Sequence, residues 1–113
     1  MSTKSVKKIA MISQPMGNLT KEEIGAARVD AVMALKRMGY DAINTWVTVE
    51  SDRLLACNKD GEDRTPLLLL GKSIEKLSMV DAVYFVKGWN KARGCRIERA
   101  ICEEYDIEII DED

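Results

Sequence analysis

The chain reads as an α/β domain, a three-layer α/β/α sandwich built on a parallel sheet of about four strands in the order 2-1-3-4. Three observations predict this. Short apolar runs alternate along the sequence with segments whose apolar residues recur at the helical period, which is the pattern of strand–helix–strand units. The run Ala82-Val83-Tyr84-Phe85-Val86, bounded by Asp81 and Lys87-Gly88, suits a strand covered by helices on both faces. Short right-handed connections then make the strand order reverse between the first and third strands.

Each element has its own signal. Ile9-Ala10-Met11-Ile12 is a first strand, and Ser13-Gln14-Pro15-Met16-Gly17-Asn18 after it has the Pro, Gly and Asn of a loop. Thr20 stands three residues before Glu23, the capping-box spacing, ahead of Ile24, Ala27, Ala31, Leu35 and Met38 at helical period. Gly39 ends that helix as a left-handed cap. A second strand follows at roughly Asp41 to Trp46.

The stretch from Val47 to Thr65 is long for a connection in a compact domain and contains the turn sequence Asn58-Lys59-Asp60-Gly61-Glu62-Asp63, so it reads as a lid or a subunit contact. Thr65-Pro66 opens the next helix with proline at its first position, and Leu67 to Leu70, Ile74 and Leu77 supply its buried side. The strand Ala82 to Val86, a glycine-bearing loop, a helix from about Arg93 to Tyr105 and a final strand Ile107-Glu108-Ile109-Ile110 complete the domain. Without an internal repeat or a linker, residues 1–113 form a single domain, near the common size of roughly 100–150 residues.

Composition excludes several function classes. Seventeen basic residues against nineteen acidic give a net charge of −2, which disfavours a nucleic-acid binder. No apolar run approaches the roughly 18 residues that span a bilayer, and Met1 to Lys8 lacks a signal-peptide core, so no membrane partner and a cytoplasmic location are expected. Cys57, Cys95 and Cys102 form no CxxC pair and read as reduced thiols, with Cys95 and Cys102 facing the core of one helix. The chain has no histidine, which removes Ser-His-Asp and Cys-His chemistry and leaves carboxylates, hydroxyls and thiols. No metal and no cofactor is called for.

Charge is unevenly spread. Lys87, Lys91, Arg93, Arg96 and Arg99 cluster around residues 87–98, while Glu103 to Asp113 holds seven acids and no base, so the first patch suits a small anion. In open parallel sheets ligands bind at the carboxyl ends of the strands beside the switch point. The loops 13–18 and 87–93 fall there and are expected on opposite sides of one cleft. Gly71-Lys72-Ser73 imitates the end of a phosphate-binding loop, but Pro66 and the leucine run before it make it helix interior.

These residues carry a family resemblance. Ile12-Ser13-Gln14-Pro15-Met16, Glu23-Ile24, Gly39-Tyr40, Lys72-Ser73-Ile74, Asp81-Ala82-Val83-Tyr84-Phe85, Gly88-Trp89 and Ala92-Arg93-Gly94-Cys95-Arg96-Ile97-Glu98 look like a family of small phage and bacterial proteins of unassigned function. That family resembles the nucleoside 2-deoxyribosyltransferase superfamily, with its flavodoxin-like fold, and the similarity runs from about residue 8 to residue 110.

The resemblance implies a nucleoside or nucleotide ligand and Glu98 as the nucleophile at the anomeric carbon. A carboxylate is the right group there, because breaking an N-glycosidic bond passes through an oxocarbenium-like state that it stabilises or traps. The activity implied is an N-glycosidase or deoxyribosyltransferase. Ser13, Gln14, Pro15, Met16, Gly17 and Asn18 would line the ribose or phosphate pocket, Arg93 would clamp a phosphate beside Gly94, and Gly88 and Trp89 would stand at the crevice mouth.

The chain departs from the transferase pattern at two places, with Ala92 and Ser73 where those enzymes have aspartates. Asp81 cannot substitute, since it begins a strand whose far end is roughly 15–20 Å away at about 3.3 Å per residue. The alternative is therefore a non-catalytic, phage-type protein that sequesters a nucleotide signal, and a blander one is an assembly subunit with a vestigial cleft. A homo-oligomer is expected in each case, with Trp46, Trp89 and the 47–65 loop as contact candidates.

Overall fold

A computed structural model of the chain describes residues 8–43, 58–59 and 62–113. The elements are β1 (Lys8–Ser13), α1 (Lys21–Arg37), β2 (Tyr40–Ala42), β3 (Asn58–Lys59), β4 (Glu62–Asp63), α2 (Thr65–Leu77), β5 (Ala82–Phe85), a 3₁₀ turn (Trp89–Lys91), α3 (Arg93–Glu104) and β6 (Glu108–Asp111). The main sheet runs β2-β1-β5-β6 with every neighbour parallel, which is the expected 2-1-3-4 order once the two-residue antiparallel β3–β4 ladder is set aside. Ser13 pairs with Phe85, and Phe85 with Asp111, so β1, β5 and β6 end level with one another.

The pleat sorts the core into two layers. Ala10 and Ile12 of β1 and Ala82 and Tyr84 of β5 face α1, where they pack with Ala31 and Leu35. Met11, Val83 and Phe85 point the other way and pack with Leu77 of α2 and Cys102 of α3. α1 therefore covers one face, and α2 with α3 the other. β5 is buried at all four positions, as its unbroken apolar run requires.

Local chemistry sets the boundaries. The Thr20 hydroxyl accepts from the Glu23 N–H at 3.1 Å while the Glu23 carboxylate accepts from the Thr20 N–H at 2.9 Å, a complete capping box. Gly39, at φ +91°, turns the chain out of α1 into β2. Asp81 has a structural role at the amino edge of the sheet: its carboxylate accepts from the Ile9 N–H at 2.8 Å, and its own N–H donates to the Ile9 carbonyl at 2.8 Å. At the outer strands, the Tyr40 hydroxyl donates to Glu108 on the α1 side, and that bond with burial raises the tyrosine pKa to about 12.

Three expectations are corrected or fall elsewhere. β2 ends at Ala42; residues 44–46 of the longer strand expected there lie outside the described residues, as do Cys57 and most of the 47–65 stretch. In α2 only Leu77 is buried, whereas Leu67 is 64% exposed and Leu69 38% exposed. Four consecutive leucines point all round a helix, so their periodicity cannot choose a face. The last strand begins one residue later than expected, at Glu108. No helix among the described residues is long and apolar enough to cross a membrane.

Candidate functional site

The site begins with the spacing of α3. Cys95, Glu98 and Cys102 are three and four residues apart, so they share one helix face, and all three are buried. Glu98 is thus an acid within an otherwise apolar stripe. Opposite it, Ser13 ends β1 with the same parity as Met11, which turns its side chain toward α2 and α3. The Ser13 hydroxyl donates to Glu98 Oε1 at 2.7 Å, and both residues are buried.

Burial dominates the electrostatics of this pair. It raises the Glu98 pKa above the usual carboxylate range, and the bond from Ser13, which favours the ionised form, opposes that rise. Burial also raises the Cys95 thiol, again against the nearby Ser13 hydroxyl, and lifts Cys102 to about 11. Both cysteines are therefore neutral thiols at neutral pH rather than nucleophilic thiolates.

Ser13 and Glu98 form part of the wall of a cavity of about 670 Å³, within the usual range for small-ligand sites of roughly 300–1,000 Å³. Gln14, Met16 and Ser73 also line it, and α1 contributes Lys21, Ile24, Gly25 and Arg28. The Gln14 side-chain amide donates to the Ile24 carbonyl at 3.1 Å, tying the first loop to α1. Arg28 donates to the Ile43 carbonyl at 3.3 Å from the same wall.

The two expected loops meet beside this cavity. The Val86 N–H donates to the Ser13 carbonyl at 3.0 Å, and Gly88, at φ +93°, lies so near Pro15 that a β-carbon there would stand 3.4 Å from Pro15 Cγ. Between the loops is a second hollow of about 1,150 Å³, lined by Pro15, Met16, Gly17 and Asn18 on one side and Lys91, Ala92, Arg93 and Gly94 on the other.

The expected site is thereby divided. Ser13, Gln14 and Met16 join Glu98 on the first cavity; Pro15, Gly17, Asn18, Arg93 and Gly94 line the second, and Met16 borders both. Gly88 closes the seam between the loops through its contact with Pro15. Trp89 is placed elsewhere: its ring meets Phe85 edge-on at 5.8 Å and lies 4.1 Å beneath the Arg99 guanidinium, so it packs on the core beside β6. Arg96 turns back to donate to the Asn90 carbonyl at 3.1 Å.

Lys21, Ile24, Gly25 and Arg28 are site residues that sequence reasoning passed over. Their spacing of three, one and three residues puts them on one face of α1 just after the first loop, a signal available in the sequence. No protein-family model matches this chain, and neither a curated protein nor a solved structure matches it. The arrangement offers one inward carboxyl with a hydroxyl donor, flanked by two cations and apolar walls. That chemistry suits a carboxylate acting on a positively polarised carbon of an anionic or polar ligand.

Proposed function

We propose that the protein binds a nucleoside or nucleotide and acts at its N-glycosidic bond, as an N-glycosidase or (deoxy)ribosyl transferase, with Glu98 as the nucleophile. The observation that carries this reading is the buried Glu98 carboxyl, held by Ser13 at 2.7 Å on the wall of a ligand-sized cavity. A Glu98 oxygen bonds to the anomeric carbon as the carbon–nitrogen bond breaks; the bonding pair leaves with the base, which takes a proton from water. Water, or a second base in the transferase, then displaces Glu98 from the sugar and returns the free carboxylate. Attack requires the ionised form, so the rate should rise with pH through the raised Glu98 pKa. Cleavage should also be fastest for bases that leave without an enzyme acid, because Glu98 is the sole carboxylate among the described residues that line the cavity.

The lack of a second carboxylate among the described lining residues favours a second reading, in which the cavity only sequesters a nucleotide signal. Incubation with nucleosides, nucleoside monophosphates and dinucleotides, followed by chromatography for free base, separates the two. Base released by the wild type and lost in Glu98→Gln supports the enzyme. Tight binding with the ligand recovered whole after denaturation supports the sequestering protein and excludes cleavage.

A further inference from the structure

The sequence places its candidate binding residues in one cleft, whereas the fold splits them between two hollows that share Met16 as a common wall. The charges of the two linings stand apart from those of the whole molecule. The chain has more acidic than basic residues, 19 against 17, yet among the described residues the linings together carry Lys21, Arg28, Lys91 and Arg93 and no acid besides Glu98. Glu98 itself is biased toward its neutral form by burial, which leaves the linings more positive still.

The cations are also distributed in a telling way. Lys21 and Arg28 stand on the α1 wall of the first hollow, and Lys91 and Arg93 on the far wall of the second. Apolar groups contribute to each lining: Ile12 and Ile24 in the first, Leu67, Leu70 and Ile97 in the second. Each hollow therefore offers an apolar surface for a flat ring and a cation for an anion. Met16, 54% exposed and unbranched, forms an adaptable ledge between them.

We propose that the ligand is a dinucleotide: one nucleoside half in the cavity that holds Glu98, the phosphate linker crossing Met16, and the second half in the hollow lined by Lys91 and Arg93. This deepens the reading given under Proposed function and rests on it, since the sugar of the first half is the one presented to Glu98. It also gives Arg93 a ligand phosphate to meet, although Arg93 does not line the cavity of Glu98.

The test is calorimetric titration with adenosine monophosphate and with a pyrophosphate-linked adenine dinucleotide. It uses the wild type, Lys91→Glu and Leu67→Asp. Both substitutions are at exposed positions on the second hollow, and unchanged thermal unfolding verifies the fold. The wild type should bind the dinucleotide at least tenfold more tightly than the monophosphate, about 1.4 kcal/mol. Each variant should lose that advantage while binding the monophosphate as before. Equal affinity of the wild type for the two probes overturns the two-hollow proposal and leaves the nucleotide reading standing. A dinucleotide advantage untouched by both variants also overturns it, because the second half would then lie elsewhere. A dinucleotide that fails to bind where the monophosphate does also overturns the two-hollow proposal alone, and failure of both probes to bind overturns both readings.

Discussion

Ser13→Ala removes one oxygen from the most consequential contact in the domain. The hydroxyl lies 2.7 Å from Glu98 Oε1, with both residues buried, so water cannot easily replace the lost donor. A hydrogen bond to an ionised group is worth about 1.5–3 kcal/mol and one to a neutral group about 0.5–1.5 kcal/mol. The substitution therefore costs about 1 kcal/mol when Glu98 is protonated and about 2 kcal/mol when it is ionised. For a domain of this size about 1 kcal/mol shifts Tm by roughly 4 °C, so the expected loss is about 4 °C in acid and about 8 °C in alkali.

The sign follows from linkage. Burial holds the Glu98 pKa above its unfolded value, so its contribution to stability is complete below the ordinary carboxylate range and is lost as pH rises through the raised value. Ser13 opposes that rise, and its removal lifts the pKa further and steepens the loss. Thermal unfolding followed by circular dichroism from acid to mildly alkaline pH measures the difference directly. A Tm loss independent of pH, or greater in acid, would refute the claim that this hydroxyl stabilises the ionised carboxylate.

Three further outcomes follow from the same structure. Gly25→Ala should stabilise the protein by about 0.5–1 kcal/mol in urea unfolding, since Gly25 is within a helix and an added β-carbon would have no neighbour within 4 Å. Gly88→Ala should destabilise it by about 1–2 kcal/mol in the same assay, because φ is +93° and Pro15 Cγ is 3.4 Å from the new carbon. Arg99→Lys should cost about 1 kcal/mol and alter the tryptophan fluorescence, since Arg99 lies over Trp89 at 4.1 Å and grips Asp111 through bonds of 2.6 and 3.1 Å. Arg99 also lowers the Asp111 pKa, so the stability it contributes is present above the ordinary aspartate range and falls away as pH drops through the lowered value.

The fold was legible where the signals are local or strictly periodic. Thr20 and Glu23 announce the start of α1 through a bond that spans only three residues, and the apolar run at β5 leaves no polar face to expose. Glu98 was placed at the site by the family resemblance alone, although Cys95 and Cys102, which flank it at helical spacing and share its buried face, also carried the signal of its inward turn. What escaped depends on tertiary packing. A leucine run carries no phase, so the exposure of Leu67 could not be read from it. Trp89 suits a ligand and a core equally well, and Arg99, ten residues later, decides between them by stacking on its ring. The division of the site at Met16 depends on how the first loop lies against α1, which the bond from Gln14 to Ile24 sets and no local pattern reveals.

A crystal structure of Glu98→Gln soaked with a nucleoside monophosphate tests the central claim most directly. The ligand should occupy the cavity beside Ser13 with its anomeric carbon about 3–3.5 Å from the residue-98 side chain, the distance of a group poised to react. A ligand bound with its sugar turned away from that side chain, or a cavity without density at saturating nucleotide, would contradict it.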